Sequence, residues 1–396
     1  MDSLGQLWGW LLQAWDFIYN FFPNAATWLA DNMRGWGWDG WVVDLVMMAI
    51  SAVLILVFIL LVMLFITLME RKIIGRMQDR YGPNRADIES LLTIAMGRQR
   101  LQKIPGNRLL KYLRLYGIIQ PFADAVKFLI KEDITPRAAD RWVHLTAPIV
   151  VTFAALLIWA VIPFGKGMVG ADLNIGILYI VSVSSLATIS LLMAGWGANN
   201  KYALLGALRG VAQMISYEVP MALSILTVVL LAGSMSMMRI AEAQGVAGGM
   251  GWFIFYLPVG LVAFLVYFIC AVAELNRAPF DLPEGESEIV AGFHIEYSGL
   301  KWGLFYLGEY FNALAVSAIV TTLFLGGWQG PVLPPYVWFW AKAAVVVFVL
   351  LWLRATLPRF RVDQLMAFAW RFLLPVSLVN IFLTGLGITL FQTLVK

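Results

Sequence analysis

Long unbroken runs of apolar residues constrain this sequence more than any other feature. Each run extends for about 20 residues, the length that a helix needs to cross the hydrocarbon core of a bilayer. Backbone N–H and C=O groups in lipid must be paired within the protein, so only helices or a closed barrel can span it. Continuous apolar runs, in place of alternating ones, favour helices. We therefore predict eight spans, at about residues 42–69, 143–163, 176–196, 217–234, 253–274, 309–327, 337–356 and 371–392.

The composition of the chain agrees with lipid as its main solvent. Hydrophobic residues make up 61% of the 396 residues and charged residues 13%. Soluble domains average about 45–50% apolar and about 25% charged. The predicted fold class is all-α, a polytopic transmembrane helix bundle, with residues 42–396 forming a single domain.

The basic residues predict how the bundle is oriented. All but five of the 28 Lys and Arg residues lie in the connections that follow odd-numbered spans. Since basic loops stay on the cytoplasmic side, the odd-numbered loops are expected to be cytoplasmic. The sequence pI near 9.1 reflects this asymmetry, and no basic stripe with interleaved aromatic residues indicates a nucleic-acid partner.

The first 41 residues form a separate Trp-rich segment. Leu4, Leu7, Trp8 and Leu11 recur at helical spacing, but polar residues interrupt the pattern. We favour an amphipathic helix lying on the membrane, with a ninth span as the alternative. Met1–Ser3 lacks the basic region of a signal peptide, and no Arg-rich transit peptide follows. We therefore expect the plasma membrane of a bacterium.

Residues that hold redox centres are scarce. Cys270 is the single cysteine, so a disulfide, a Cys-ligated zinc site and an iron–sulfur cluster are excluded. His144 and His294 are far apart in sequence, which disfavours a bis-histidine haem. No dinucleotide-binding GxGxxG pattern or P-loop is present. We predict no metal site, no catalytic nucleophile and no redox centre in this chain.

Four glutamates are predicted at the ends of spans, all on the cytoplasmic side: Glu70, Glu218, Glu274 and Glu309. The predicted boundaries place Glu218 and Glu309 at helix amino termini, where the helix dipole favours negative charge. Charged residues inside a bilayer cost roughly 2.5–3.5 kcal/mol at a helix centre and are retained mainly for function. Solvated interfacial anchors are the alternative reading.

The loop after the fifth span is strongly acidic. Between residues 274 and 309 it carries seven carboxylates against Arg277 and Lys301. Crowded carboxylates raise one another's pKa values, which suits proton uptake and release near neutral pH. A docking surface for a basic partner is the alternative. The carboxylates are Glu274, Asp281, Glu284, Glu286, Glu288, Glu296 and Glu309.

A short amphipathic helix is predicted at Gln120–Lys131, on the cytoplasmic surface of the membrane. Phe122, Ala125, Val126 and Leu129 share one face, and Asp124 can pair with Lys127 at i, i+3. By itself this pair indicates a surface salt bridge.

Five stretches of the sequence form a recognisable set. They are Met69–Lys72 with Arg80–Arg85, the Gln120–Lys131 helix, Ala203–Pro220, Ala273–Tyr297, and Leu353–Arg361 with Asp363–Leu365. Together they make the chain resemble the H-subunit family of respiratory NADH:quinone oxidoreductase, or complex I, which includes mitochondrial subunit 1. The loop segment Arg277–Glu288 is the most specific of them, and the stretches occur in family order over about residues 42–392.

The resemblance implies a function. In that family the subunit forms most of a narrow apolar tunnel for the quinone, and buried carboxylates link the quinone cavity to antiporter-like membrane subunits. NADH, flavin and iron–sulfur clusters are then expected only in the peripheral partner subunits, with quinone as the substrate. The family's proton-coupling acids match Glu70, Asp124, Glu218, Glu274, Asp281, Glu284, Glu286, Glu288, Glu296 and Glu309, and its quinone-site residues match Arg71, Arg277, Phe280 and Asp281.

The chain departs from the family pattern in three places. A basic insertion occupies about residues 86–116 and is expected to bind acidic lipid headgroups or a neighbouring subunit. The Trp-rich segment before residue 42 is the second departure. The third is His294, where the family more often has asparagine; a structural role is favoured, although a histidine there can titrate near neutral pH.

Two other functions compete with the quinone-linked one. Intramembrane acids also suit an independent proton or cation transporter, but the sequence shows no internal repeat of the kind such a protein has, and the acids are predicted at one face instead of the midplane. A membrane anchor of a related hydrogenase-type complex is the other alternative. The nearly complete Arg277–Tyr297 loop favours the quinone-linked function.

Overall fold

The computed structural model describes residues 21–84, 117–245, 251–331 and 333–395. Most of the predicted amino-terminal amphipathic helix precedes residue 21, and the basic insertion at 86–116 falls between two described ranges. Both predictions therefore lie outside the described residues.

The described residues form helices and no β-strand. We number the helices in chain order. They are α1 (Phe21–Gly35), α2 (Gly40–Met77), α3 (Gln120–Ile130), α4 (Arg141–Leu157), α5 (Gly176–Gly197), α6 (Lys201–Ala232), α7 (Met237–Ala243), α8 (Val259–Glu274), α9 (Glu286–Ile289), α10 (Gly299–Phe324), α11 (Pro335–Thr356), α12 (Val362–Phe368) and α13 (Leu374–Val395).

Seven helical segments in the described part of the chain are long and apolar enough to cross a membrane: α2, α4 with its 3-10 extension to Ala160, α5, α6, α10, α11, and α12 joined to α13. The joint is a short π-helical segment, Ala369–Leu373. Helix α8 is a shorter apolar helix of 16 residues and corresponds to the fifth predicted span. The predicted all-α polytopic bundle is confirmed.

Two helix boundaries were wrong, and the error matters for the acids. Helix α6 begins at Lys201, far before the predicted 217, and α10 begins at Gly299, before the predicted 309. Glu218 and Glu309 are therefore inside helices and not at their amino termini, so the helix dipole does not stabilise their charge. Hydropathy missed these starts because Arg209, Gln213 and the glycines of the first turns are polar or small while the backbone remains helical.

Helix α10 lies at the centre of the bundle. Within the most apolar 18-residue stretch of α10, 83% is buried inside the protein. The corresponding stretch of α2 is 17% buried. It packs against α4, α11, α2 and the surface helix α3, while α8 packs against α6 and α13. A polar side chain on α10 is therefore surrounded by protein, where it needs an internal partner.

The amino-terminal half of α6 supports the acidic loop, which we define as residues 275–298. Gly206, Gly210 and Gln213 share one helical face beneath it. A side chain at Gly210 would lie 2.7 Å from Pro283, and one at Gly206 would lie 2.8 Å from Gly292. The Gln213 amide nitrogen donates to the carbonyls of Ala273 and Phe280, both at 2.7 Å. The polar start of α6 thus fixes the position of the loop.

Two described residues on either side of the basic insertion, Pro83 and Gly117, lie against each other. Gly117 adopts a φ of +81°, and a Cβ there would lie 1.9 Å from the carbonyl oxygen of Pro83. The described chain on the two sides of residues 85–116 is therefore in contact. Helix α3, which follows, still packs against α2 and α10.

Candidate functional site

An ion-pair cluster joins four distant parts of the chain inside the bundle. Arg277 of the acidic loop donates from Nε to Glu309 at 2.5 Å, and its Nη1 lies 3.5 Å from Glu70. Arg354 of α11 reaches the other oxygen of Glu70 at 2.5 Å. Two carboxylates and two guanidinium groups balance each other, which is the condition for keeping charges buried.

Two tyrosines extend this cluster along α10. The Tyr310 hydroxyl donates to Glu70 at 2.6 Å and accepts from the Tyr306 hydroxyl at 2.9 Å. The Arg277 guanidinium also lies over the Tyr310 ring, 4.4 Å from its centroid. Tyr306 and Tyr310 are at i, i+4 and so share one face of the helix.

A cavity of about 240 Å³ lies beside the cluster, and carboxylates from three segments border it. They are Glu274 at the end of α8, Glu284 of the acidic loop and Glu309 of α10, with Arg354 nearby. We call it the acidic cavity. Its volume is sufficient for several water molecules, because a single water molecule needs about 10–15 Å³ of cavity volume.

Glu274 also borders a smaller apolar cavity of about 40 Å³, together with Ser184 of α5 and Asn312 of α10. Beyond it, Glu218 of α6 accepts a hydrogen bond from Thr188 at 3.2 Å. Glu218 is close enough to Glu274 for their charges to interact. Glu284, Glu309 and Glu274 thus border one cavity, and Glu218 lies near Glu274.

The acidic loop contains carboxyl groups with raised pKa values. Burial raises the pKa of Glu284 to about 8, and the nearby carboxylates of Glu309 and Asp281 add to the shift. Burial also raises the pKa of Asp281, although Arg359 and Arg354 oppose it. His294 lies beside this group, with Nδ1 at 3.7 Å from Glu284 Oε1.

A large groove of about 1080 Å³ runs between α2, α3 and α10 and has mainly apolar walls. Met63, Leu64, Phe128 and Leu307 are among its lining residues. At one side the Arg71 guanidinium pairs with Asp124 at 2.6 Å, and both line the groove. Three further side chains, His294, Trp302 and Tyr306, border both the groove and the acidic cavity.

The remaining predicted site residues lie apart from the acidic cavity. Glu288 pairs with Arg209, and the hydrogen bond from that arginine lowers the pKa of Glu288. Glu296 accepts a hydrogen bond from Asn200 at 2.7 Å, at the start of α6. Phe280 is buried, with its ring against Tyr217 at 5.6 Å. The side chain of Glu286 lies outside the described residues.

Sequence reasoning did not single out several residues that complete the site. Arg354, Tyr306, Tyr310 and Gln213 are absent from the predicted site, although all contact it. An arginine at a helix end and a tyrosine in an apolar run are ordinary in membrane proteins, so neither gave a signal. In the described part of the chain, no group of three or more His, Cys, Asp or Glu side chains could hold a metal ion.

Comparisons with known proteins show the family to which the chain is related. The sequence profile of the NADH dehydrogenase family matches residues 50–385. The NADH-quinone oxidoreductase H subunit of Dehalococcoides mccartyi strain CBDB1 is 52% identical over 331 residues, covering 84% of each chain. The protein of the same name from Geobacillus thermodenitrificans is 47% identical, covering 89% of this chain and 97% of its own. That from Carboxydothermus hydrogenoformans is 45% identical, covering 94% and 98%. With a family match over most of its length and relatives at this identity, the chain belongs to the NADH dehydrogenase family.

Proposed function

We propose that this chain is the quinone-binding membrane subunit of a proton-pumping NADH:quinone oxidoreductase. The observation that carries the proposal is that a mainly apolar groove and an acidic cavity lie side by side. They share a wall formed by His294, Trp302 and Tyr306. The groove suits a long isoprenoid tail, and the cavity suits proton exchange.

The groove opens between α2, α3 and α10, and its volume of about 1080 Å³ is of the size that a large hydrophobic ligand requires. Tail binding needs apolar walls, while the polar head needs a few hydrogen-bonding groups at one end. The Arg71–Asp124 pair and the shared wall provide such groups. We assign the quinone head to the side of the groove nearest Tyr306, with Arg277, Phe280 and Asp281 in the loop behind it.

Reduction of a quinone consumes two electrons and two protons. Peripheral partner subunits with flavin and iron–sulfur clusters supply the electrons in this proposal. The shared cavity of Glu284, Glu309 and Glu274, with Glu218 near Glu274, supports a path that carries the change in charge away from the quinone and toward antiporter-like membrane subunits. Glu70 and Asp124 belong to the quinone side of that path.

The remaining acids receive a different assignment. Glu288 and Glu296 pair with Arg209 and Asn200 and lie outside the acidic cavity. We propose that the surface carrying them, together with Glu286, faces the peripheral subunits. With the odd-numbered loops cytoplasmic, this surface is on the inner side of a bacterial plasma membrane.

A glycine pair offers a sharp test of the groove. Gly303 lines it, and a Cβ there would lie 3.5 Å from the Phe128 ring, so the side chain of Gly303→Phe must enter the groove. Gly385 on α13 has nothing within 4 Å of such a Cβ, which makes Gly385→Phe the matched control. The assay is quinone reduction by the purified intact complex, with ferricyanide reduction measuring electron entry independently of the quinone.

We expect Gly303→Phe to lose quinone reduction by more than tenfold while ferricyanide reduction stays unchanged, because only the quinone is displaced. Gly385→Phe should retain both activities. Full quinone reduction in an assembled Gly303→Phe complex would exclude the groove as the quinone site.

A further inference from the structure

Helix α3, which forms one wall of the groove, has few buried contacts of its own. Among its 11 residues only Pro121 is buried. Asp124 in its middle pairs with Arg71 of α2, and Phe128 lies against Trp302 of α10 with ring centroids 5.3 Å apart. A segment with so little buried area opens easily unless its ends are fixed. The position of this wall therefore depends on what holds the chain beside α3.

The chain just past α3 is fastened to the start of α10 by a lysine. Lys301 donates from Nζ to Asp133 at 3.1 Å and to the Thr135 hydroxyl at 2.8 Å. The Lys301 side chain is 12% exposed, against 49% for Asp133. The ammonium is thus largely withdrawn from solvent, where an ion pair is screened less than at an open surface.

Backbone groups of the same segment meet the residues that precede Lys301. The Ser298 hydroxyl accepts from the N–H of Ile134 at 2.8 Å and donates to the carbonyl of Glu132 at 3.1 Å. Gly299 has a φ of +56°, and a Cβ there would lie 2.9 Å from the carbonyl oxygen of Lys131. The two backbones are therefore in direct contact.

We call the contacts between residues 131–135 and residues 298–301 the α3 clamp. Its backbone part borders the groove, since Lys131, Ser298 and Gly299 are among the lining residues. The Lys301, Asp133 and Thr135 side chains are not among them. These three side chains can therefore affect a ligand in the groove only by positioning α3 and the start of α10.

We propose that the α3 clamp makes the groove selective for long-tailed quinones, with Lys301 as the positioning residue that sets the distance between the α3 wall and the α10 wall. The inference rests on the proposed function, because it assigns the groove to a quinone. It adds the feature of the fold that decides how closely the tail is enclosed.

Selectivity of this kind follows from how apolar tails bind. The attraction grows with the apolar area that the walls remove from water. A gap of about 0.5–1 Å already removes roughly a quarter to a half of the dispersion attraction of the atoms that face it. A long tail loses this attraction along its whole length when α3 is released, whereas a quinone with a short tail touches little of the wall.

Lys301→Met tests the clamp, because it removes the charge and the donor and nearly keeps the side-chain length. Lys301→Arg keeps both, and Lys201→Met is the matched control, since Lys201 is exposed at the start of α6. Asp133→Asn is a milder variant that leaves the Lys301 bond to Thr135 in place, and it takes the place of Lys301→Met if that complex assembles poorly.

Each intact complex is assayed in proteoliposomes with two quinones that share a head group and carry one or eight isoprenoid units. The head group is the one, ubiquinone or menaquinone, that the wild type reduces faster, and concentrations are expressed per lipid. Ferricyanide reduction measures assembly, and hydrogen exchange of residues 120–135 measures how firmly α3 is held.

We expect Lys301→Met to raise KM for the long-tailed quinone about fivefold or more. KM for the short-tailed quinone, and kcat for both, should change by less than about twofold, as is usual when binding is lost without a change in the reacting groups. Hydrogen exchange of residues 120–135 should increase. Asp133→Asn should change each quantity in the same direction by less, while Lys301→Arg and Lys201→Met should match the wild type.

Three results would overturn the clamp. Unchanged exchange would show that α3 is held by other contacts, and increased exchange with an unchanged ratio of the two KM values would show that its position does not select the tail. An equal change for both quinones, or the same change in Lys201→Met, would show a general disturbance. If Gly303→Phe still abolishes quinone reduction in these cases, the clamp alone is wrong; if Gly303→Phe is active, the proposed function has failed.

Discussion

Arg277 donates from Nε to Glu309 at 2.5 Å, and this contact fastens the acidic loop to the most buried helix of the bundle. Arg277 is 5% exposed and is also bridged to Glu70 of α2. One guanidinium therefore connects a loop and two spans.

Arg277→Gln should damage both assembly and activity. Glu70 and Glu309 would lose their shared cation, and removing one partner of a buried ion pair costs about 3–5 kcal/mol. We expect a lower melting temperature of the intact complex and more than a tenfold loss of quinone reduction. Differential scanning fluorimetry and the quinone assay measure the two effects. Arg34→Gln is the control, because its pair with Asp31 is solvent-exposed and contributes little. Equal stability of the two variants would contradict a structural role for the Arg277 pairs.

Glu284→Gln should alter the pH dependence of stability. Burial raises the pKa of Glu284 from its ordinary value of 4.5 to about 8 in the folded state. A raised pKa means that the folded protein holds the proton more tightly than the unfolded chain, so the stability from this group is full below about pH 4.5 and is lost as pH rises through about 8. The glutamine variant cannot ionise, so its melting temperature should fall less between pH 5 and 9.

Infrared difference spectra provide a direct measurement of the same group. A protonated carboxylic acid band should titrate with a midpoint near pH 8 in the wild type and be absent in Glu284→Gln. Glu288→Gln is the matched control, since Glu288 has a lowered pKa and pairs with Arg209. Retention of the band in Glu284→Gln would assign it to a different carboxyl.

Gln213→Leu should loosen the acidic loop while preserving side-chain size. The change removes the donor to the carbonyls of Ala273 and Phe280 and leaves both without that bond. Unsatisfied buried acceptors cost about 1–3 kcal/mol. Hydrogen exchange of residues 275–298 should increase, and the melting temperature should fall. Gln78→Leu, at an exposed position, should change neither. Unaltered exchange in the loop would show that other contacts hold it.

Lys342→Met should destabilise the end of α10 opposite the acidic loop. The ammonium group is buried and donates to the carbonyls of Leu325, Gly327 and Gln329 at 2.6, 3.1 and 2.6 Å. Trp252 lies beside it, with the ring centroid 4.5 Å from Nζ. Methionine fills the space but donates nothing, so about 1–3 kcal/mol should be lost.

The melting temperature of the intact complex measures the loss in Lys342→Met, and exposed Lys166→Met is its control. A quinone assay at a temperature well below unfolding should show nearly normal activity, because Lys342 lines neither the groove nor the acidic cavity. Strong inhibition without destabilisation would instead assign Lys342 a part in the reaction.

The apolar runs alone were sufficient to predict a polytopic bundle of helices, because lipid permits few backbone arrangements. The same runs gave wrong starts for α6 and α10 and so put Glu218 and Glu309 at helix ends. A helix can continue through polar and glycine residues wherever protein covers them. Gly206, Gly210 and Gln213 are such residues, and the acidic loop lies over them. Hydropathy measures exposure to lipid, and it cannot see a helix face that another segment covers.

The sequence by itself determined that this chain is a helical membrane protein, which acids are unusual for lipid, and which family motifs carry them. Only the tertiary structure decided which charges meet. Glu70 pairs with Arg277 and Arg354, and Glu309 with Arg277, across separations in sequence that no local pattern encodes. The reason is physical: a buried charge must find its counter-charge in space. The Tyr306–Tyr310–Glu70 line likewise depends on how α2 packs against α10.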